Sequence, residues 1–284
     1  MYSHGWCSLS PFSVNKDQST FNRLLTLSDN SLVYCQITCQ KKSPLNILVN
    51  HHQKLTAAQC NNIKHQIASC LRLTEDYSEF YREVKHFPKY RWIAKIKAGR
   101  MLRAPSVFED VVKMICTTNC SWALTTIMVE NLVGELGKPF DDSKKSFPSP
   151  EILAGTTEQF LRKAIRAGYR SPFLLEFAKK VANDKLDIEN WRTSELPTND
   201  LFKELRSIKG VGEYAAGNIL KLLGRYDYLG LDSWVRGKYY ELYHRGRKVS
   251  DRTIERRYIP YGKWRGLFFW MEMTKHWYVH KFPF

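Results

Sequence analysis

LRSIKGVGEYAAGNIL, residues 205–220, is the stretch of sequence that decides the fold. In it, Gly210 and Gly212 flank one apolar residue, Val211, between two segments of helical character. Both glycines permit a tight turn with positive φ, and they let the backbone come close to another surface. We therefore expect a helical hairpin in which Val211 packs between the two helices.

The second helix of this hairpin begins near Tyr214 and continues through Ala215 and Ala216, whose small side chains allow close packing. The backbone N–H groups at its start face outward and can bind a phosphate oxygen. Backbone donors read no base, so such a contact would position nucleic acid without selecting a sequence. An ordinary helical hairpin with a glycine-rich turn is the alternative, but the length of the pattern favours DNA binding.

A carboxylate follows the hairpin in the segment YLGLDSWVR, residues 228–236. Asp232 lies 22 residues after Gly210, which leaves room for one helix and a return loop. This spacing can bring Asp232 near the hairpin. A structural interpretation stays open, because Asp232 or Ser233 can also cap the helix that follows.

The charge balance points to a polyanionic partner. The chain has 44 Lys and Arg against 28 Asp and Glu, a formal net charge of +16. Nucleic acid is the natural partner of such a surface, although a merely basic surface is the alternative. The sequence contains no run of 18 apolar residues and no secretory signal at its start, so we expect neither a membrane span nor secretion.

The cysteine pattern predicts free thiols in a reducing compartment. None of the seven cysteines forms a CxxC pair, and their odd count and spacing suit neither a closed disulfide framework nor zinc. We therefore expect no metal site. The cysteines are residues 7, 35, 39, 60, 70, 116 and 120.

The residue patterns predict an α+β fold with two domains. Residues 31–39 and 45–49 have strand patterns, and residues 56–73 have helical spacing after Thr56, a candidate cap. From about Pro105 the chain is mostly helical. We expect a small N-terminal antiparallel β-sheet domain at 1–104 and a mostly α-helical core at 105–284. Within the core, Thr156 and Gln159 predict a capping box for a helix that ends at Gly168.

The hairpin followed by Gly-Leu-Asp resembles the helix-hairpin-helix DNA glycosylase superfamily, whose signature is the hairpin and then Gly-Pro-Asp. The resemblance implies that Asp232 stabilises the positive charge that develops on the sugar and helps water attack. Leu231 replaces the usual proline, which mainly affects loop stiffness. The family's iron–sulfur cluster is not expected, since no cysteine follows Cys120, but the hairpin can hold a monovalent cation on backbone carbonyls. The implied DNA-binding hairpin comprises Lys209, Gly210, Val211, Gly212 and Tyr214.

Residues 115–124 and 168–170 are similar to the eukaryotic-type 8-oxoguanine branch of this superfamily. The resemblance implies that Asn119 enters the space left by the flipped base, Tyr169 wedges the duplex and Arg170 contacts the estranged base. A solvent-facing loop is the structural alternative for residues 169 and 170.

Three positions depart from that branch. Tyr214 stands where it has a Schiff-base lysine, Leu124 where an arginine reads cytosine, and Gly266 where a glutamine reads the oxidised base. An aromatic residue at 214 is more like bacterial 3-methyladenine DNA glycosylase II. A purine nucleotide alkylated at a ring nitrogen, as in 7-methylguanine or 3-methyladenine, is positively charged, and an electron-rich aromatic pocket attracts a cation. The candidate pocket residues, for which ordinary core packing is the alternative, are Tyr214, Trp234, Trp264 and Trp270.

The sequence as a whole predicts a monofunctional DNA glycosylase of base excision repair, without lyase activity. It would flip a damaged base, an alkylated purine by preference, from double-stranded DNA and hydrolyse the glycosidic bond with Asp232. Two alternatives are an 8-oxoguanine or mismatch glycosylase with a rebuilt pocket, and a non-catalytic DNA-binding damage sensor. We expect a monomer in the cytoplasm and nucleoid, or in the nucleus if the source is a eukaryote.

Overall fold

The N-terminal part of the chain forms a four-stranded antiparallel sheet. A computed structural model describes residues 3–15, 20–38, 44–279 and 283. The strands are paired in chain order, so each strand lies beside its neighbour in the sequence. They are β1 (Phe12–Val14), β2 (Thr20–Thr26), β3 (Leu32–Thr38) and β4 (Asn46–Asn50).

The alternation predicted for residues 31–39 is confirmed in β3. Val33, Cys35 and Ile37 are fully buried, whereas the residues between them are partly exposed. Cys39 lies outside the described residues. The helix after the sheet, α1 (Ala57–Cys70), begins at the predicted cap, Thr56, through a capping box with Gln59. The predicted α+β class, a small sheet followed by a mostly helical chain, is confirmed.

Contacts within the chain define two compact units, Met1–Thr74 with Leu102–Asn190 and Glu75–Met101 with Trp191–Pro283. These units do not follow the predicted segments 1–104 and 105–284, because residues 75–101 group with the C-terminal helices and residues 102–190 group with the sheet. The first unit contains the sheet and most of the middle helices. Its helices after α1 are α4 (Val107–Thr117), α5 (Trp122–Leu136), α6 (Pro150–Ala154), α7 (Glu158–Lys163) and α8 (Ser171–Ala182).

The second unit is built around a large aromatic core. Phe80 and Tyr90, which belong to the segment 75–101, pack against Phe268. The ring centroid of Phe268 lies 5.4 Å from that of Phe80 and 4.9 Å from that of Tyr90. This packing explains the grouping of residues 75–101. The helices of this unit are α2 (Ser78–His86), α3 (Arg91–Ile96), α9 (Thr198–Ser207), α10 (Glu213–Leu223), α11 (Ser233–His244), α12 (Asp251–Tyr258), α13 (Arg265–Met273) and α14 (Lys275–Val279).

A buried ionic group joins β2 to α4 in the first unit. The Arg23 guanidinium donates to both carboxylate oxygens of Glu109, at 2.7 and 2.6 Å. Lys113 lies 2.7 Å from the same carboxylate and also donates to the Leu9 carbonyl. Burial alone would raise the pKa of Glu109, but the two cations outweigh it and hold that pKa below its usual range.

The helix predicted after Thr156 begins one residue later and ends earlier. Thr157 accepts a hydrogen bond from the Phe160 amide and caps α7, whereas the Thr156 hydroxyl donates to the Leu153 carbonyl at the end of α6. The helix ends at Lys163, and Arg166 has a φ of +64°, so the chain leaves helical geometry before Gly168. The predicted capping box is therefore wrong.

None of the helices in the described ranges has the length and apolarity needed to cross a bilayer. Six cysteines, all but residue 39, fall within those ranges, and they are free thiols as predicted. Across the same residues, no three His, Cys, Asp or Glu side chains are grouped so as to hold a metal ion.

Candidate active site

The predicted hairpin is confirmed as the pair α9 and α10. Leu201 and Leu205 bury the inner face of α9, and Ile208 leaves the helix in an extended conformation. The Val211 side chain is buried, and its amide donates to the Ile208 carbonyl at 3.0 Å. Gly212 is the first residue outside α10, and no side chain of the described residues caps this helix end. The start of α10 thus offers backbone N–H donors to a ligand.

The two glycines of the turn serve different purposes. Gly210 has a φ of +87°, in the left-handed region that favours glycine, as predicted. Gly212 has a φ of −81°, so the prediction of positive φ is wrong there. A β-carbon at Gly212 would meet no atom within 4 Å. The fold itself therefore does not require glycine at 212, and the missing side chain leaves the helix end open to another molecule.

Three further glycines hold the loop after α10 close to its neighbours. A β-carbon at Gly217, on α10, would lie 3.1 Å from the Gly230 Cα atom. A β-carbon at Gly266, on α13, would lie 2.1 Å from the Tyr228 carbonyl oxygen. Because no side chain intervenes, the loop at residues 226–231 packs directly on the backbones of α10 and α13.

Asp232 ends this loop and begins α11. Its Oδ1 atom accepts a hydrogen bond of 2.7 Å from the Val235 amide, so Asp232 is the cap of the helix. No residue in the described part of the chain bonds to Oδ2. The carboxylate thus lies at the positive end of the α11 dipole. Capping and catalysis are therefore compatible, since one oxygen fixes the side chain and the other is available.

Lys221, which was not among the predicted site residues, belongs to this site. It lies on α10 with only 1% of its surface exposed, and its Nζ atom donates to the Leu229 carbonyl. Burial lowers the pKa of the Lys221 ammonium to about 7, although the charge of Asp232 acts in the opposite direction. The sequence feature that could have identified Lys221 is helical spacing, which puts residue 221 two turns after Tyr214.

Aromatic side chains gather around Trp234, which follows Asp232 by two residues at the start of α11. The Trp234 ring is 42% exposed and lies 6.3 Å from the Trp270 ring centroid and 5.4 Å from that of Trp277. The Lys221 Nζ atom lies 5.6 Å from the Trp270 centroid, which links this group to the loop of Asp232. We call Trp234, Trp270 and Trp277 the tryptophan group. Trp277 was not predicted, because a tryptophan in an aromatic-rich helix is usually core.

The other two predicted pocket residues lie differently. Trp264 stacks on Tyr226 at 5.5 Å and contacts Phe80 at 5.2 Å, so it belongs to the aromatic core of the second unit. Tyr214 is half-buried in the first turn of α10, and its carbonyl accepts from Asn218 at 2.9 Å. The structure therefore brings together Trp234 and Trp270 of the four predicted residues.

The predicted wedge residues lie together in the first unit. Asn119 is exposed at a φ of +46°, and its amide donates to the Tyr169 hydroxyl at 3.3 Å. Tyr169 is 46% exposed. Arg170 is only 3% exposed, and its guanidinium donates to the Thr118 carbonyl. As described, Arg170 supports the loop that presents Asn119, and its contact with a base stays a prediction.

Among curated proteins, this chain is 25% identical over 215 residues to a probable N-glycosylase/DNA lyase from Methanothermobacter thermautotrophicus. The match covers 68% of this chain and 67% of the relative. A comparison with protein-family models finds no match.

Solved structures share the fold across nearly the whole chain. A 3-methyladenine DNA glycosylase from Archaeoglobus fulgidus superposes with a TM-score of 0.73 at 20% identity, covering 94% of this chain and 90% of that one. An 8-oxoguanine glycosylase/lyase from Clostridium acetobutylicum, solved with double-stranded DNA containing cytosine opposite 8-oxoguanine, gives 0.69 at 20% identity, with 93% and 88% covered. The likeness thus extends to both branches that the sequence resembles.

Proposed function

Because this chain is a homologue of the helix-hairpin-helix DNA glycosylases, we propose that it removes a damaged base from duplex DNA. The observation that carries the proposal is Asp232, with one carboxylate oxygen fixed by the Val235 amide and the tryptophan group close by. A target base inside a duplex is out of reach of this carboxylate. The nucleotide must therefore be turned out of the stack before it reacts.

The chemistry is hydrolysis of the bond between the sugar C1′ atom and the base nitrogen. As this bond breaks, its electron pair leaves with the base and positive charge develops on the sugar. The Asp232 carboxylate stabilises that charge without having to reorganise, since the helix end holds it in place. Water then adds its oxygen to C1′ and loses a proton, which leaves an abasic site and a free base.

We propose an alkylated purine as the damaged base. Such a base is positively charged, and the faces of Trp234 and Trp270 attract a cation by roughly 1–2 kcal/mol when water is excluded. The positive charge also makes the base a good leaving group. Gly266 supports this choice over 8-oxoguanine, because the Tyr228 carbonyl fills the space where a side chain at 266 would begin. A glutamine that reads an oxidised base has no room there.

The hairpin would hold the DNA backbone, and Gly212→Ala tests this role. We expect the variant to bind duplex DNA about tenfold more weakly, since a methyl group at the open helix end obstructs a charge-assisted hydrogen bond to phosphate. Folding should change little, because φ at 212 is −81° and the space is empty. Affinity is measured by fluorescence anisotropy at fixed salt.

The matched control for this prediction is Gly237→Ala. Gly237 also has no atom within 4 Å of an added β-carbon, but it lies inside α11 and is not part of the hairpin. We expect this control to bind DNA as the unaltered protein does. Equal affinity for Gly212→Ala and Gly237→Ala would show that the hairpin does not contact the DNA.

The same proposal includes the absence of lyase chemistry, which needs an amine on the sugar. Tyr214 stands at the family's lysine position, and Lys221 is too buried to reach a sugar. We therefore expect no covalent protein–DNA adduct when borohydride is added during the reaction. Tyr214→Lys is expected to create a trappable amine and serves as the positive control. An adduct with the unaltered protein would contradict the monofunctional assignment.

A monovalent cation at the hairpin is part of the proposal, as backbone carbonyls are its usual ligands in the family. The Ile208 and Gly212 carbonyls accept hydrogen bonds from Val211 and Ala216, and each carbonyl oxygen retains a second lone pair. Each of these carbonyls could offer that lone pair to such an ion, whose charge would add to the attraction for phosphate.

The proposed function is tested by incubating the protein with duplexes that each contain one lesion. We expect a free alkylated purine, identified by its mass, from one or more of them. An oxidised or mismatched base as the only product would favour the alternative with a rebuilt pocket. Tight binding of every lesion with no released base would favour the damage-sensor alternative.

A further inference from the structure

The contacts of Lys221 connect α10 to the loop that carries Asp232. Besides its bond to the Leu229 carbonyl, the Nζ atom donates to the Asn218 side-chain oxygen at 3.2 Å. Asn218 itself donates to the Gly230 carbonyl at 3.4 Å. Two neighbouring side chains of α10 thus hold two consecutive carbonyls, just before Asp232.

Gly230 is shaped to receive these side chains. Its φ of +63° lies in the left-handed region, and a β-carbon there would come within 2.9 Å of the Lys221 Nζ atom. Any other residue would therefore push the amine away as well as strain the loop. The Val235 amide holds Asp232 from the helix side. Lys221 and Asn218 hold the preceding loop, so the carboxylate is fixed from both directions.

We propose that Lys221 is a positioning residue for Asp232, whose buried amine holds the Leu229–Gly230 segment on α10. This inference rests on the proposed function for its catalytic consequence. The structural part, a loop held by a buried amine, stands on the contacts alone.

The uncharged form suits the chemistry. A neutral amine keeps two N–H groups, so it can still donate to the Leu229 carbonyl and the Asn218 oxygen. A buried ammonium would offset the charge of Asp232 and would oppose positive charge on the sugar. Since burial brings the pKa of Lys221 to about 7, the neutral form grows as the pH rises through that value.

Other charged groups on the surrounding elements are engaged elsewhere. Asp227 accepts from Thr198 at 3.0 Å, and Arg265 on α13 donates to the Asp227 carbonyl. Glu272 on α13 accepts from Tyr90, Tyr258 and Lys89. His276 on α14 lies against the Trp234 ring.

The charged residues of α9 form surface contacts, Asp200 with Lys203, Glu204 with Trp191 and Arg206 with Glu213.

The test compares Lys221→Met with Lys203→Met. Lys203 lies on α9, outside the residues 209–214 proposed to contact the DNA, and its 77% exposed side chain pairs with Asp200 at 2.8 Å. In the unaltered protein we expect base release under single-turnover conditions to accelerate as the pH rises from about 6 to about 8. Lys221→Met should be slower by roughly tenfold to a hundredfold, without this inflection, at unchanged DNA affinity. Lys203→Met should match the unaltered protein.

Two further variants separate charge from position. Lys221→Gln keeps a neutral donor, so it should recover part of the rate without any inflection near pH 7. Lys221→Arg keeps a permanent charge and should remain slow throughout. The glutamine variant also serves if Lys221→Met fails to fold. A normal rate and pH profile for a folded Lys221→Met or Lys221→Gln would overturn the proposal.

Hydrogen exchange distinguishes failure of this inference from failure of the proposed function. The Val235 amide, protected by Asp232, should exchange about tenfold faster in Lys221→Met than in Lys203→Met. That result without base release from any duplex would contradict the proposed function and support the loop role of Lys221. Equal exchange in the two variants would overturn the loop role, whatever the activity.

Discussion

Replacing Asp232 with asparagine is expected to slow base release by roughly a thousandfold or more, with little loss of DNA affinity. Asparagine caps helices as well as aspartate does, so α11 should still begin at the same residue. What disappears is the negative charge that stabilises the sugar cation and assists the attack of water. Single-turnover release from a lesion-containing duplex, measured beside the dissociation constant for that duplex, shows both effects.

The matched control is Asp251→Asn. Asp251 is also an acidic residue at the start of a helix, but its carboxylate pairs with Arg236, at 2.7 Å, on the protein surface. We expect its loss to leave the rate of base release unchanged. If Asp232→Asn released base as fast as Asp251→Asn, the carboxylate would be a cap and nothing more.

Glu109→Gln is expected to lower the free energy of unfolding by about 3–5 kcal/mol, the largest stability effect we predict. The substitution keeps the shape of the side chain but leaves the buried cations Arg23 and Lys113 without their counter-charge. It also loosens α4, which precedes the loop that presents Asn119. Urea unfolding at neutral pH should show a lower midpoint with an unchanged slope.

Glu158→Gln provides the comparison, because Glu158 and Arg162 form an exposed pair at 2.6 Å that should contribute at most about 1 kcal/mol. A Glu109→Gln midpoint close to that of Glu158→Gln would contradict the prediction. The sign of the pH effect follows from the lowered pKa of Glu109. Its stabilisation is present above the unfolded pKa of 4.5 and is lost as the pH falls through the folded value.

Local patterns predicted the elements that depend on neighbouring residues. The hairpin at 205–220 and the alternation in β3 both follow from rules of short range, as does the helix cap at Thr56. Thr156 shows the limit of such rules. Either of the adjacent threonines 156 and 157 can cap the next helix. Thr157 does so in the structure, because the Thr156 hydroxyl bonds to the end of α6.

The candidate site was only partly predictable, because its members are selected by packing between distant segments. Asp232 and the hairpin have a sequence signature, but Lys221 and Trp277 occur in helical patterns that usually mean core. Residue type also misled, since Trp264 resembles a pocket wall yet completes the aromatic core with Tyr226. Arg170 was expected at the DNA, and its burial against Thr118 depends on a loop 50 residues away.

The glycines also divide into those required by the local turn and those required by packing with a distant segment. Gly210 was predictable, since a turn of this kind demands positive φ. The need for glycine at 217 and 266 comes from a loop that packs on both helices, which no local pattern reveals. These two residues let the loop before Asp232 pack on both helices.

The most direct measurement of the central claim is the intact mass of a damaged DNA strand after incubation with the protein. We expect the strand to lose the altered base and gain the elements of water, with its sugar–phosphate backbone unbroken. Asp232→Asn should leave the mass unchanged over the same period. A strand that is bound but never altered by the unmodified protein, for any lesion offered, would contradict the claim.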